Sequence, residues 1–299
     1  SLALWSHARD PGADRPPAVD VAIEGPDARK LGNLLGRGGH PAWILDVPTE
    51  LLPSMLEDAK ALARTHGLDA HLTLLAARVP HLQRALNVLT SDGGGQVDFH
   101  GLAAVVLDGL PTSERMVVHG EQREERWKWV ALDVKPGVAA RTEGLGLVAV
   151  DAARLMFADL TALGSWNHDA PVDGLADVVF WGRDDAGVAR EVGAPSIPEG
   201  YGWTNLPLAE AQARHQKIAA LRSDERLFAV DFRPHSDHFQ LMKQVRDSAT
   251  GSGTVTVAGA QMCGFMTTWG DGWFPVERDV DADGRTLRVR VLLGLDDRA

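Results

Sequence analysis

The stretch "ADVVFWGRDDAGVAREVGA", Ala176–Ala194, decides how this chain is read. "DVVFW" is a short apolar run ended by Gly182, the pattern of a buried strand. "DDAGVAREVG" then reads as a helix with an acidic first turn and Gly193 near its end. A second stretch, "AVDVAIEGPDARKLGNLLG" at Ala18–Gly36, has the same design. Asp20, Val21, Gly25, Asp27 and Gly36 match Asp177, Val178, Gly182, Asp184 and Gly193, each 157 residues on (177 − 20). The same offset relates His81, Gln83, Val88, Ser91 and Gly94 to His238, Gln240, Val245, Ser248 and Gly251. A unit of this length is too long for a solenoid repeat, so the self-similarity points to two tandem domains of ordinary size.

Outward from these stretches, "LAEAQARHQKIAALR" (208–222) is a helix following Pro207, and "RLFAVDF" (226–232) is a strand. "SDHFQLMKQVRDS" is a helix with Ser236 or Asp237 as its N-cap. "GTVTVAG", "MCGFMTTW", "WFPVERD" and "RTLRVRVLLG" read as four strands of one antiparallel meander. "LGLVAVDAARLMFADLTALG" (145–164) reads as a strand, then a helix capped by Asp151. The expected fold is α+β: two tandem related domains from an internal duplication, each mainly antiparallel sheet with helices packed on one face. The expected boundaries are 1–140 for the first repeat, 141–164 for a connecting strand/helix segment, and 165–299 for the second repeat.

Composition narrows the partners. The 299 residues are 44% hydrophobic and 24% charged, which lets the chain bury sizeable cores without covalent staples. Cys263 is the single cysteine, so no disulfide forms within the chain, and a reducing compartment is the default. The net charge is −11 and no Lys/Arg cluster opposes it, which argues against a nucleic-acid partner. No apolar run reaches the roughly 18 residues of a membrane span, and the opening residues lack a signal-peptide pattern. The expectation is a cytoplasmic protein with neither a nucleic-acid nor a membrane partner.

The stretch "TTWGDGWFPVERDVDADGR", Thr267–Arg285, looks most like chemistry. "DVDADG" fits the start of an EF-hand loop, with Asp279, Asp281 and Asp283 as oxygen donors and Gly284 at the sharp turn. The twelfth position, however, is Arg290 in place of the required bidentate Glu. The flanks also alternate like strands, so "DADG" is expected to be a hairpin turn. In "WGDG", Gly270 and Gly272 permit tight backbone, while Trp269, Trp273 and Phe274 are expected to pack on the core. Asp271 is a candidate binding residue.

The closing segment "WGDGWFPVERDVDADGRTLRV" resembles the end of an uncharacterised bacterial family, domain of unknown function 4241. That family closes with a W-G-D-G-x-Y/F-P strand, a D-x-D-G turn and a last strand. "VDAARLMFAD" (150–159) keeps Val150, Asp151, Ala152, Phe157 and Asp159 of the family's V-D-A-G-T-G-C-F-x-D, without its Gly-Thr-Gly-Cys centre. "RWKWVALDVKPG" (126–137) is similar to another family step. The resemblance covers at most residues 115–293. It implies a fold relationship and no mechanism.

Other constellations are weaker. "PHSDH" places His235, Asp237 and His238 together, a set that could ligate a divalent metal, although a site needs three convergent ligands. The "W-S/N-H" pairs, Trp5/His7 and Trp166/His168, could line two similar pockets, or could each close a domain core. "RGGH" and "DGGGQ" lack phosphate-loop spacing. Cys263 lies in an apolar strand and reads as a buried thiol. No catalytic or cofactor motif is complete, and no cofactor is expected. The expected function is a non-catalytic binding or regulatory protein of the bacterial cytoplasm whose partner is another protein, toxin-neutralising or stress-related. The alternative is a metal-dependent hydrolase using His235, Asp237 and His238, with Asp271 beside them.

Overall fold

The computed structural model describes residues 2–5, 18–35, 43–76, 81–99, 102–111 and 114–294. The chain opens with β1 (Leu2–Trp5), β2 (Ala18–Glu24), α1 (Ala28–Leu34), β3 (Trp43–Pro48), α2 (Leu52–His66), β4 (His71–Leu74), α3 (His81–Asp92), β5 (Gly94–Phe99) and β6 (Leu102–Leu107). It continues with β7 (Val117–Arg123), β8 (Arg126–Asp133), β9 (Arg141–Val150), β10 (Arg154–Asp159) and the single turn α4 (Leu160–Leu163). Next come β11 (Leu175–Gly182), α5 (Asp185–Val192), β12 (Ser196–Ile197), β13 (Gly200–Pro207), α6 (Leu208–Ala219), β14 (Phe228–Pro234), α7 (Asp237–Asp247) and β15 (Ser252–Val257). The last strands are β16 (Ala260–Met266), β17 (Gly272–Val280) and β18 (Thr286–Leu292). Every strand pair with a described register is antiparallel, and the class is α+β.

The expected boundaries 1–140 and 165–299 are corrected. The compact units are Ser1–Gly164 together with Ala258–Ala299, and Ser165–Val257. The reason is strand pairing. β18 pairs with β8 and β17 with β9, so the end of the chain completes a sheet, β7-β8-β18-β17-β9, begun by residues 117–150. β16 likewise pairs with β10, alongside β1, β6 and β5 in that order. The expected meander is therefore split: β16 and β17 follow each other in sequence but belong to different sheets.

In the first unit these two sheets face each other. Leu2, Val105, Leu107, Leu155, Phe157 and Phe265 from one meet Val130, Leu132, Val148, Phe274, Val276, Val289 and Val291 from the other in a single core. Helix α3 packs on β5 and β6, behind the first sheet. The unit also holds a small sheet, β3-β2-β4, whose Val21, Ile23 and Ile44 pack with Leu31 of α1 and with Ala59 and Ala63 of α2.

Residues 145–164 are the end of β9, a tight turn, β10 in the other sheet and the single helical turn α4, not one strand and one helix. Asp151–Ala153 form a turn with Ala152 and Ala153 at φ of 68° and 56°, and residues 154–159 return as β10. Leu155, Met156, Phe157 and Ala158 are all buried, so the period-2 signal of a strand is lost there. The helix cap is Asp159, which accepts from Thr161 N and Ala162 N, and Asp151 has no such role.

The second unit is a four-stranded sheet, β12-β13-β11-β14, with a core of Val178, Phe180 and Phe228 against Val188, Ala189, Ala211 and Ile218 of α5 and α6. In both small sheets the first strand lies inside: β2 between β3 and β4, and β11 between β13 and β14, with the two-residue β12 added at the edge. Both also carry a register shift at the matching point, between Val19 and Val21 and between Ala176 and Val178.

Candidate functional site

The segment before β11 lies along the corner where β14 meets α7. Ser236 caps α7, its hydroxyl accepting from Phe239 N at 3.1 Å. Asp237, buried, accepts from Asn167 N at 2.8 Å through Oδ2. His238 stacks on His168 with ring centroids 4.2 Å apart. His235 Nδ1 lies 2.9 Å from Asp173 Oδ2 and its Nε2 lies 2.9 Å from Asp177 Oδ1. The ring is buried and lies parallel to Phe239 at 4.5 Å. Asp177 sits in the register shift of β11, where its Oδ1 also accepts from Asn205 N at 2.8 Å. Burial pushes the Asp173 carboxyl up, but the Leu175 N–H and the His235 ring outweigh this and hold it below its ordinary value.

The structure thus gathers His235, Asp237, His238, His168 and the half-buried Trp166 in one region, but in separate tasks. The metal-ligand reading of His235, Asp237 and His238 is corrected. Both His235 nitrogens face carboxylates, Asp237 holds a backbone N–H, and the His238 ring lies against His168, so the three do not converge on one point. Among the described residues no group of three or more His, Cys, Asp or Glu side chains is placed to hold a metal ion. Trp5 lies in β1 opposite Met156, whereas Trp166 lies outside any strand, so the two "W-S/N-H" elements are not equivalent. His7 lies outside the described residues.

Asp271 is a clamp. Its Oδ1 accepts from Ala153 N at 2.7 Å, and Thr267 N donates to Ala153 O at 2.9 Å, fixing the 152–153 turn against the loop of residues 267–271. The "DADG" turn is a hairpin turn: Asp281 Oδ1 accepts from Asp283 N and Arg285 N at 3.0 and 2.8 Å, and Gly284 has φ of 79°. Phe274 is buried in the core as expected. Trp269 and Trp273 are not core residues. Trp269 is 37% exposed, with Nε1 donating to Trp127 O at 2.6 Å and Arg126 over its ring at 4.7 Å. Trp273 is 59% exposed, because it alternates with the inward Phe274 on β17.

Trp273 leads to the outer face of the β7-β8-β18-β17-β9 sheet. Register sets three parallel rows across its strands. One row is Val117, Asp133, Arg288, Asp279 and Thr142, and the next is His119, Ala131, Arg290, Glu277 and Gly144. These rows form a charge lattice. Arg288 Nε donates to Asp133 at 2.6 Å, and His119 Nε2 lies 3.0 Å from the other Asp133 oxygen. Arg290 Nη2 donates to Asp279 at 3.3 Å, and Thr142 Oγ1 to the same oxygen at 2.7 Å. Burial pushes the Asp133 carboxyl up, but its bonds to Arg288 and His119 outweigh this and bring it below its ordinary value. The third row changes character: Glu121, Trp129, Leu292, Pro275 and Leu147, with Trp273 one alternation further along β17. Leu147 is 40% exposed. Trp129 donates from Nε1 to Glu121 at 3.1 Å and meets the edge of His119.

Two groups escaped the sequence reading. Asp173 and Asp177 lie about sixty residues from His235, and nothing local links them. The apolar row comes from four different strands. Its one local sign is the alternation in "RWKWVALD" and "WFPVERD", which marks strands but not the register that aligns them. No family model, curated protein or solved structure matches this chain.

Proposed function

We propose that this chain is a non-catalytic binding protein that meets another protein through the apolar end of the β7-β8-β18-β17-β9 outer face. The observation that carries the reading is the exposure of Leu147, in line with Trp129, Leu292 and Pro275 across four strands, and of Trp273 one alternation beyond that row. Each large apolar side chain left in water forgoes about 1.5–3 kcal/mol of burial. Aromatic anchors beside a polar rim are what protein interfaces present. The neighbouring charges already bond to one another, which suits a rim more than a catalytic centre.

The reading extends to a bacterial cytoplasmic setting and to a toxin-neutralising or stress-related partner. With a net charge of −11 it takes neither nucleic acid nor membrane as partner. It also takes the chain as a divergent relative of the domain of unknown function 4241, whose two characteristic turns flank β17, the strand bearing Trp273 and Pro275. An internal duplication is supported by the inner position of the first strand and the matching register shifts of the two small sheets.

The test is affinity capture with the full chain and with Trp273→Ser combined with Leu147→Ser. The expected outcome is loss of the captured protein at an unchanged melting temperature, since exposed substitutions typically change stability by about 0.5 kcal/mol or less. Retention of the same partner by the double variant refutes this surface as the contact.

A further inference from the structure

We propose that the Asp173–His235–Asp177 bridge is a pH-sensitive latch holding residues 165–175 against the corner of β14 and α7. An ionised carboxylate can only accept hydrogen bonds, and a neutral imidazole donates from one nitrogen while the other accepts. A carboxylate oxygen lies 2.9 Å from each nitrogen of this buried ring. Both contacts are hydrogen bonds only when both nitrogens carry protons. Removal of one proton turns one contact into a lone pair facing an anion, and that end must give way.

The two ends are unequal. Asp177 is the fixed end: its side chain is 12% exposed and is held also by Asn205 N. Asp173 is the releasable end: its side chain is 37% exposed and belongs to the segment itself. Water can take over its bond, whereas Asp177 would face a desolvation penalty. Further ties join the segment to the corner: Val172 N to His235 O at 2.9 Å, His235 N to Leu175 O at 3.0 Å, Asn167 N to Asp237 Oδ2 at 2.8 Å, His238 N to Asn167 O at 3.4 Å, and the His168–His238 stack. Loss of the Asp173 bond removes a charged tie between the segment and the His235 ring, so the remaining ties open more often as pH rises.

Asp237, His238 and Arg233, on the elements packed there, have their own engagements. From α7, Asp237 holds Asn167 N and His238 stacks on His168. From β14, Arg233 bonds to Asp231 at 2.7 Å and to Glu199 at 2.6 Å. The Phe239 ring covers the face of His235 and brings no charge. The His168–His238 stack responds in the opposite sense, because acid that charges both rings makes them repel. His168→Phe keeps a stacked ring without that charge and isolates the His235 effect.

The experiment is amide hydrogen exchange of the full chain at Asn167, Val172 and Leu175 from about pH 6 to about pH 9, normalised to intrinsic rates, with nitrogen-15 spectra of the His235 ring. Protection at these amides is expected to fall roughly tenfold or more as the ring loses its second proton, in wild type and in His168→Phe. In Asp173→Asn the side-chain amide can donate to a bare Nδ1, so protection is expected to stay level. Protection in wild type that does not change while the ring changes its proton count overturns the proposal. So does an Asp173→Asn profile that falls as steeply as wild type.

Discussion

Arg84 and His235 meet the same need with different chemistry. Asp20 and Asp177 each sit at the register shift of a central strand, where a carboxylate is buried. Asp20 accepts from Arg84 Nη2 at 3.1 Å, and Asp177 faces His235 Nε2 at 2.9 Å. A guanidinium keeps its charge at every ordinary pH and an imidazole does not, so the two sites differ in what acid or base can do to them. Removing one partner of a buried ion pair typically costs about 3–5 kcal/mol, so Arg84→Ala is expected to lower unfolding free energy by that order, measured by denaturant titration. A loss of only a few tenths would mean Asp20 is satisfied without Arg84. On the outer face the relevant charge is Asp133, whose carboxyl lies below its ordinary value despite burial because Arg288 and His119 bond to it. A carboxyl depressed in the folded state adds stability above its unfolded pKa, and that stability is lost as pH falls through the folded pKa. Arg288→Ala should move the Asp133 carboxyl upward in a carbon-13 titration and start the acid loss at higher pH. An unmoved carboxyl would assign the depression to His119 alone.

At the scale of elements, the turn between β9 and β10 shows where sequence and structure part. "VDAARLMFAD" contains no glycine, and alanines at positive φ are uncommon because the left-handed region costs an L-residue roughly 1–2 kcal/mol. The turn forms because Asp271 and Thr267 hold the Ala153 backbone from a loop more than a hundred residues away. No local reading contains that information, and β10, buried from Leu155 to Ala158, hides its alternation. Where one strand face is solvated, as in β18 with Leu287, Val289 and Val291 inward and Arg288 and Arg290 outward, the strand and its hairpin turn were legible. The capped start of α7 was legible too, because Ser236 acts within its own turn. Ala153 has φ of 56°, a conformation that a glycine adopts without strain. Ala153→Gly should therefore stabilise the protein by up to about 1 kcal/mol, with strain relief partly offset by the entropy of a freer unfolded chain. A fall in melting temperature would show that the clamp, and not the strain, dominates this turn.

At the scale of the whole molecule, the tandem pattern in the sequence and the compact units of the fold divide the chain at different places. The 157-residue offset describes how similar stretches recur along the chain, whereas the sheets are completed by strands from both halves. Offset and alternation alone do not say which strands pair, because an inward face built by β8 and β9 accepts β18 and β17 by shape and register that emerge only on assembly. This difference has a direct consequence. A cut between residues 140 and 160 leaves β7 and β8 without β18, and β17 without β9. It exposes two sheet edges and opens the core of Val130, Val148, Phe274, Val276, Val289 and Val291 to water. Fragments 1–140 and 160–299 expressed separately should aggregate or lack cooperative unfolding. Residues 165–257 are a different case: their sheet, α5 and α6 enclose a core drawn entirely from within the fragment. That fragment should fold alone, with dispersed amide resonances and a cooperative thermal transition. Cooperative folding of isolated 1–140 would mean that its strands close a core without β17 and β18, and that the pairing of the chain's end with residues 117–150 contributes little to holding the molecule together.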